Sequence, residues 1–291
     1  MLMKTSELPI HCLRAPNPGP MTGPGTNTYI LGQDQVLIVD PGPAMESHIN
    51  AILSQVAGAK VMGVFVTHAH IDHCECAQDV AHRLSAPTMA SGPAHFGRSD
   101  VMQHLSNLNQ LGGGEGVDHS FTPDVVVHDG QALPLDGHTL TALHTPGHFC
   151  NHMSLACGDT LLVGDHAMAW STTLISPPDG DLGAFLRTCD RLMQRPETQY
   201  LPGHGDAIPN GPKRLAELVA HRNMRTNQIL GALIDAPATA AALANRIYTD
   251  IPPALIPAAT RNVLAHLIDL YEKGAVQPLG DISNTTKFQK T

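Results

Sequence analysis

Between Thr67 and His73 the chain reads THAHIDH, which sets three imidazoles and a carboxylate, His68, His70, Asp72 and His73, within six positions. Imidazole nitrogen and carboxylate oxygen are ligands for divalent metals, and both at this spacing read as a metal site rather than as polar loop surface. The donor types suit zinc and are also compatible with iron or manganese. Four ligands from one turn can surround more than one ion. Further candidates follow apolar stretches at later turns: His148 in HTPGH, Asp165 in GDH and His204 in PGHG.

The elements that must carry these residues can be read around them. Residues 61–66 (VMGVFV) are short, apolar and rich in β-branched side chains, which predicts a buried strand delivering His68 at its end. A helix is expected from about residue 74 to 84. His68 and His70, two apart, face one side if the chain stays extended. Upstream, strands are expected at 26–31 and 36–39, the second ending at Asp40-Pro41-Gly42. Asp40 is either a turn former before proline or a hydrogen-bond partner of a ligand histidine. A helix over 44–57 between strands implies a parallel or mixed sheet with helices packed on it.

Residues 87–91 suggest another short strand. The stretch 92–130 predicts a short helix followed by a mobile loop at Gly112-Gly113-Gly114, which lacks the spacing of a phosphate-binding loop. A strand over 139–143 runs into HTPGH, where a Pro-Gly turn aims His148 inward while His144 stays in the strand. Strands at 153–156 and 160–163 form a hairpin, and the second ends at Asp165. Tyr200-Leu201-Pro202 leads to His204.

Composition narrows the class. The 291 residues, 42% hydrophobic and 15% charged, predict a packed globular core rather than a disordered chain. Residues 1–212 hold 8 Lys/Arg against 20 Asp/Glu, net −12, whereas 213–291 hold 9 against 6, net +3. The acidic part suits bound cations and opposes a long nucleic-acid track across it. Six cysteines without a CxxC pair point to a reducing compartment. With no signal-peptide pattern at the start and no run of ~18 apolar residues, a cytoplasmic protein with no membrane association is expected.

Taken together, these motifs resemble the metallo-β-lactamase fold superfamily: THAHIDH is similar to its HxHxDH signature, and TPGH, GD and PGHG to later motifs in the same order. The resemblance implies an αβ/βα sandwich with the site at one edge of the sheets. It further implies one ion held by His68, His70 and His148, a second by Asp72, His73 and His204, and Asp165 between them. More narrowly, MTGPGTNTYILG, VDPGPA, HTPGHFCNHMSL and GDHAMAWSTTLISPPDGD resemble the lactamase-beta-2-like branch, whose members carry a small C-terminal winged-helix-like domain. Here 213–235, 239–249 and 254–273 read as its three helices, 275–278 as a wing strand, and the remaining tail as frayed. The expected organisation is an α+β chain with a catalytic domain over 1–212 and a mainly helical winged-helix-like domain over 213–291.

The chemistry expected of two divalent ions, zinc first, is hydrolysis. Metals about 3.5–4 Å apart hold a bridging hydroxide and polarise a carbonyl or phosphoryl oxygen. Asp72 is the candidate proton acceptor, His152 a candidate donor to the leaving group or a support for the ligands, and Trp170 and Ser171 candidates for the pocket wall. Cys74, Cys76 and Cys150 read as buried small hydrophobes. The branch implies single-stranded RNA as a phosphodiester substrate, with a small-molecule acyl ester or thioester as the rival; homodimerisation is left open. Two further classes compete: a mononuclear-iron sulfur oxidoreductase, which the complete second ligand set opposes, and a nucleic-acid-binding regulator, which would bind DNA in a salt-sensitive way.

Overall fold

The structure, a computed structural model, describes residues 7–114 and 116–291. Strands β1 (Ile10–Arg14), β2 (Asn27–Gly32) and β3 (Gln35–Val39) run antiparallel, and after α1 (Glu46–Gln55) the chain adds β4 (Lys60–Phe65) parallel to β3. Helices α2 (Ile71–Cys74) and α3 (Ala77–Arg83) lead to β5 (Thr88–Ala90); α4 (Asp100–Leu108) precedes β6 (Val125–Val126), which completes a sheet in the order β1-β2-β3-β4-β5-β6. The second sheet, ordered β11-β10-β9-β8-β7, comprises β7 (Ala132–Leu135), β8 (His138–His144), β9 (Met153–Cys157), β10 (Thr160–Gly164) and, after α5 (Leu182–Met193), β11 (Gln199–Pro202). The C-terminal part contains α6 (Gly211–Ala232), β12 (Ala238–Thr239), α7 (Ala240–Ile247), α8 (Ile256–Glu272), β13 (Val276–Pro278) and β14 (Lys287–Lys290).

Strand alternation explains the layering. In β2 and β3, Tyr29, Leu31, Leu37 and Val39 point between the sheets and meet Leu140, Ala142, Met153 and Leu155. Their neighbours Ile30, Val36 and Ile38 point the other way, onto Ile49, Ile52 and Val80 of α1 and α3. On the far side, Leu161 and Val163 pack on Phe185, Leu192, Leu215 and Leu218 of α5 and α6. Helix, sheet, sheet and helix therefore stack as the αβ/βα sandwich expected.

The C-terminal part has its own core, with Leu243, Val263, Leu267, Val276 and Phe288, which also takes in Met102 and Leu105 of α4. Helix α6 serves both parts: Leu215 and Leu218 face the sandwich, while Ile229 faces the C-terminal core. A continuous helix thus crosses the point where the sequence suggested a division at 212/213.

Four features differ from the sequence reading or add to it. The helix expected from residue 74 begins at Ile71, so Asp72 and His73 sit on a helical turn with an acidic residue in its first turn, where the helix dipole favours it. The tail is not frayed: β14 pairs with both β12 and β13, and Phe288 is fully buried. One buried aromatic anchors an otherwise polar strand. Helix α5, which the sequence reading passed over, is capped by the Asp181 side chain accepting from Ala184 N at 2.9 Å. The residues flanking the glycine triplet are tied into the fold. Val117 bridges to His70, Ile71 N donates to Gly116 O, and Arg261 on α8 donates to the carbonyls of Leu111 and Gly112. No helix among the described residues is long and apolar enough to cross a membrane.

Candidate metal centre

Strands β4, β10 and β11 end at the same edge, and each hands over to a turn carrying a candidate ligand. His68 follows β4; Asp165 follows β10; His204 follows β11, where Gly203 N donates to Gly164 O at 2.9 Å and holds the last two turns together. His148 comes from the loop between β8 and β9. That loop is tied across the sandwich by Met153 N donating to Thr67 O at 2.8 Å. All seven candidates, His68, His70, Asp72, His73, His148, Asp165 and His204, converge there.

They fall into two sets. In the first, His70 Nδ1 lies 2.8 Å from His68 Nε2 and 3.1 Å from His148 Nε2. In the second, His204 Nε2 lies 3.2 Å from both His73 Nε2 and Asp72 Oδ2. Asp165 stands between the sets, its Oδ2 3.3 Å from His204 Nε2 and 3.8 Å from His148 Nε2. A tetrahedral ion with bonds of about 2.0–2.1 Å sets its ligand atoms about 3.3 Å apart, so both clusters have the spacing an ion needs.

The opposite ring nitrogens settle which atoms face inward. His148 Nδ1 donates to Leu174 O at 2.7 Å, His204 Nδ1 to Gly25 O at 3.3 Å and His73 Nδ1 to Asp40 Oδ2 at 2.9 Å. Thr67 Oγ1 donates to Asp40 Oδ2 at 2.8 Å and accepts from His68 Nδ1 at 2.9 Å. With Nδ1 carrying the proton of the neutral ring, each Nε2 is the atom that can offer a lone pair to an ion, and each is aimed at its neighbours. His70 Nδ1 faces two such atoms, and a single proton there can serve only one of them. Asp165 Oδ1 is buried with no hydrogen-bond partner among the described residues. Divalent cations answer both deficits, so the residues present fit a pair of them.

Electrostatics divide the cluster in the same way. Burial, then the neighbouring histidines, push His68 well below and His70 down to about 3, and burial also lowers His148, so the first set is neutral. Burial works against charge in the second set too, but the carboxylates outweigh it. Asp72, Asp165 and Asp40 hold His73 well above its ordinary range, and Asp165 and Asp72 lift His204 to about 9. The two histidines in turn keep Asp72 and Asp165 ionised. Positive charge is drawn to this half.

Asp40 is a support for the ligands as well as a turn residue. Its carboxylate takes Thr67 N at 2.7 Å, Thr67 Oγ1 and His73 Nδ1, from a backbone held at a left-handed φ of 51°. His152 lies behind the site rather than beside a substrate. It is fully buried, its Nδ1 engages Thr145 Oγ1 at 2.8 Å, and its Nε2 accepts from Asp165 N at 3.2 Å. A Cβ at Gly164 would meet that Nε2 at 2.6 Å, and one at Gly203 would collide with Asp165 Oδ1 and His73 Cε1, so the first glycine is dictated by the support behind the site and the second by the candidate ligands packed on it.

His70 and Asp72 are the half-exposed members, so the cluster opens past them. Met21 in the Pro/Gly-rich loop, Ile71 between His70 and Asp72, and Trp170 after Asp165 stand exposed, with the Trp170 indole against Gly23 and Gly205. Ser171 donates to Thr172 O and does not reach the cluster in any hydrogen bond described. His144 is structural, its ring bonded to Cys150 O. Cys74, Cys76 and Cys150 are buried, and burial pushes the last two thiols up to about 12, which keeps them protonated. Sequence reasoning missed His166, buried behind Asp165 and stacked on Phe185 at 4.5 Å, and the Leu174 carbonyl, which no side-chain motif could have flagged. A cavity of about 940 Å³ opens at the opposite edge of the sheets, between Leu8, Tyr29, His138 and Asp159, and contains none of the seven candidates.

Comparison with known proteins gives this arrangement its context. Residues 21–204 match the model of the metallo-beta-lactamase superfamily, and residues 239–284 that of the beta-lactamase associated winged helix domain. The chain is 27% identical over 273 residues to a beta-lactamase-like protein 2 homolog of Drosophila melanogaster, covering 90% of this chain and 87% of that one. It is 30% identical over 222 residues to an atrochrysone carboxyl ACP thioesterase of Paecilomyces divaricatus, covering 75% of this chain and 62% of the relative. A metallo-beta-lactamase family protein of Thermus thermophilus shares the fold with a TM-score of 0.78 at 24% identity, over 97% of this chain and 98% of that one. Given the sandwich, the clustered His and Asp side chains and the matched models, the chain belongs to the metallo-beta-lactamase superfamily and carries that superfamily's associated winged helix domain.

Proposed function

We propose that the protein is a dinuclear metal-dependent hydrolase that cleaves a small acyl thioester or ester. The observation that carries the metal reading is the pair of inward-facing donor sets flanking an orphaned Asp165 oxygen. His68, His70 and His148 would hold one divalent ion and Asp72, His73 and His204 the other, with Asp165 shared; zinc suits the donors best, and iron or manganese is compatible. Two such ions, when bound, supply a hydroxide nucleophile at neutral pH and polarise the carbonyl under attack. Asp72, ionised and half-exposed, accepts the proton that the attacking water gives up. Asp40, Thr67 and the carbonyls of Leu174 and Gly25 fix the imidazoles. His152 holds the backbone of Asp165 rather than donating to the leaving group.

Charge favours an acyl substrate over a polyanion. The arginines that reach the ligand loops are committed to the protein itself: Arg14 to Gly205 O and Asp206, Arg98 to Asp179, Arg214 to the carbonyls of Met168 and Ser171. With residues 1–212 at net −12 and an apolar rim of Met21, Ile71 and Trp170, a neutral acyl group is the better fit. A thioesterase among the relatives agrees with this chemistry. Single-stranded RNA is the second reading, supported by the net +3 of residues 213–291.

The test is metal content by elemental analysis, paired with thiol release from acyl thioesters and cleavage of single-stranded RNA, for wild type and Asp72→Ala. Two ions per chain with Asp72-dependent thiol release supports the proposal. Asp72-dependent RNA cleavage without thiol release moves the substrate to phosphodiesters. One iron per chain with oxygen uptake on a persulfide replaces hydrolysis by sulfur oxidation.

A further inference from the structure

Residues Thr173 to Ser176 form a strap that runs from behind Asp165 to the back of His148, and the C-terminal part grips it at each end and in the middle. Arg222 of α6 donates to Thr173 O. Asn262 Oδ1 of α8 accepts from Ile175 N at 3.0 Å and from Arg222 Nη1 at 3.1 Å. Arg261 Nε donates to Ser176 Oγ at 2.9 Å. The one strap carbonyl turned toward the cluster, Leu174 O, is the acceptor for His148 Nδ1, and Thr173 Oγ1 donates back to the carbonyls of Asp165 and His166 at 2.9 and 3.1 Å.

Arg222 is an expensive residue to place there. It is 1% exposed, has no carboxylate partner among the described residues, leaves its Nε unpaired, and lies 5.6 Å from the centre of the Phe185 ring. Burial lowers even its guanidinium to about 10. A lone buried guanidinium costs stability, and apolar packing would serve adhesion between the two parts better. What it and Asn262 provide that apolar packing does not is direction: they fix the rotation of the peptide units flanking Leu174, and so the line along which the carbonyl meets His148.

We infer that Arg222 and Asn262 are positioning residues for the first metal set, so that the C-terminal part of the chain, α6 and α8, helps build the centre rather than only covering it. The inference rests on the two-ion reading proposed above. Loss of the clasp leaves Leu174 O free to turn, His148 loses its orienting partner, and affinity falls at the set containing His148 but not at the set containing His204.

The test is a cobalt(II) titration of the full chain after chelation, followed by visible absorption, which needs no substrate. His148→Ala and His204→Ala identify which binding step belongs to which set. Asn262→Leu removes the acceptor at nearly constant volume, and Asn262→Asp restores it. The expected result is that Asn262→Leu weakens the His148 step by about 10- to 100-fold, leaves the His204 step unchanged and is rescued by Asn262→Asp; the melting temperature of the chelated protein falls in Asn262→Leu, where Ile175 N and Arg222 Nη1 lose their acceptor, and recovers in Asn262→Asp. Equal affinities in wild type and Asn262→Leu overturn the inference while leaving the two-ion reading intact. So does equal weakening of both steps, which would mark general loosening. Wild type that binds no cobalt overturns the underlying reading as well.

Discussion

His73 and Asp40 are joined by a bond of 2.9 Å from ring Nδ1 to carboxylate Oδ2, both fully buried, across 33 residues of sequence. The bond turns His73 Nε2 toward His204 Nε2 and leaves Asp40 to brace Thr67 with the rest of its carboxylate. Asp40→Ala should therefore weaken metal binding at the set containing His73 by about 10- to 100-fold. It should also cost about 1–3 kcal/mol of stability, because Thr67 N loses its buried acceptor. Equilibrium dialysis with elemental analysis, alongside urea unfolding, separates the two effects.

Removal of metal should abolish hydrolysis and leave the sandwich folded, since its helices and sheets close on extensive apolar cores of their own. Chelation followed by stepwise return of zinc, with activity and circular dichroism recorded together, checks this. Asp72→Ala in the reconstituted protein should lower kcat by at least about 100-fold, the scale of a lost proton acceptor.

Phe288 is fully buried in the C-terminal core from a strand that pairs on both sides. Phe288→Ala should destabilise that part by about 3–5 kcal/mol. A chemical-denaturation curve that moves by a few tenths of a kcal/mol instead would mean the tail is only loosely docked.

His266 is buried on α8, its Nδ1 engaging Thr226 Oγ1 at 2.9 Å, and burial, then Arg222, push it down to about 3. The folded state thus resists a proton that the unfolded chain takes up below about pH 6.5. Its contribution is complete above that pH and is lost as pH falls from there toward 3, with a slope of about 1.4 kcal/mol per pH unit for one proton. His266→Gln keeps a partner for Thr226 without titrating, so its stability should fall less steeply between pH 6 and 4, as read from denaturation midpoints at each pH.

What the sequence revealed about this centre was what sits close together in it. THAHIDH, HTPGH, GDH and PGHG each combine a strand end, a turn and a donor within a few residues, so the candidate ligands and the strands that deliver them could be read directly, while the sandwich followed from the family resemblance. The supports were harder: Asp40 could be offered as a partner for a ligand histidine, but not which one, and Asn262 not at all. Asp40 reaches His73 over 33 residues and Asn262 reaches Ile175 over 87, and neither distance has a local pattern. His152 showed its proximity in sequence but not its direction, because the packing of Asp165 N on its ring depends on β9 and β10 lying side by side. The C-terminal strand was hidden for a related reason: a single apolar residue among polar ones gives no period, and only the core waiting for Phe288 makes it a strand.

The chain contains one tryptophan. Trp170 lies half-exposed with its indole against Gly205, the residue after His204, and against Gly23 in the Pro/Gly-rich loop. Any event that shifts the His204 turn changes the solvent around that ring, so tryptophan emission, excited selectively beyond the absorption of the four tyrosines, comes from a single lamp mounted beside that turn. Occupancy can be followed in real time without attaching a dye.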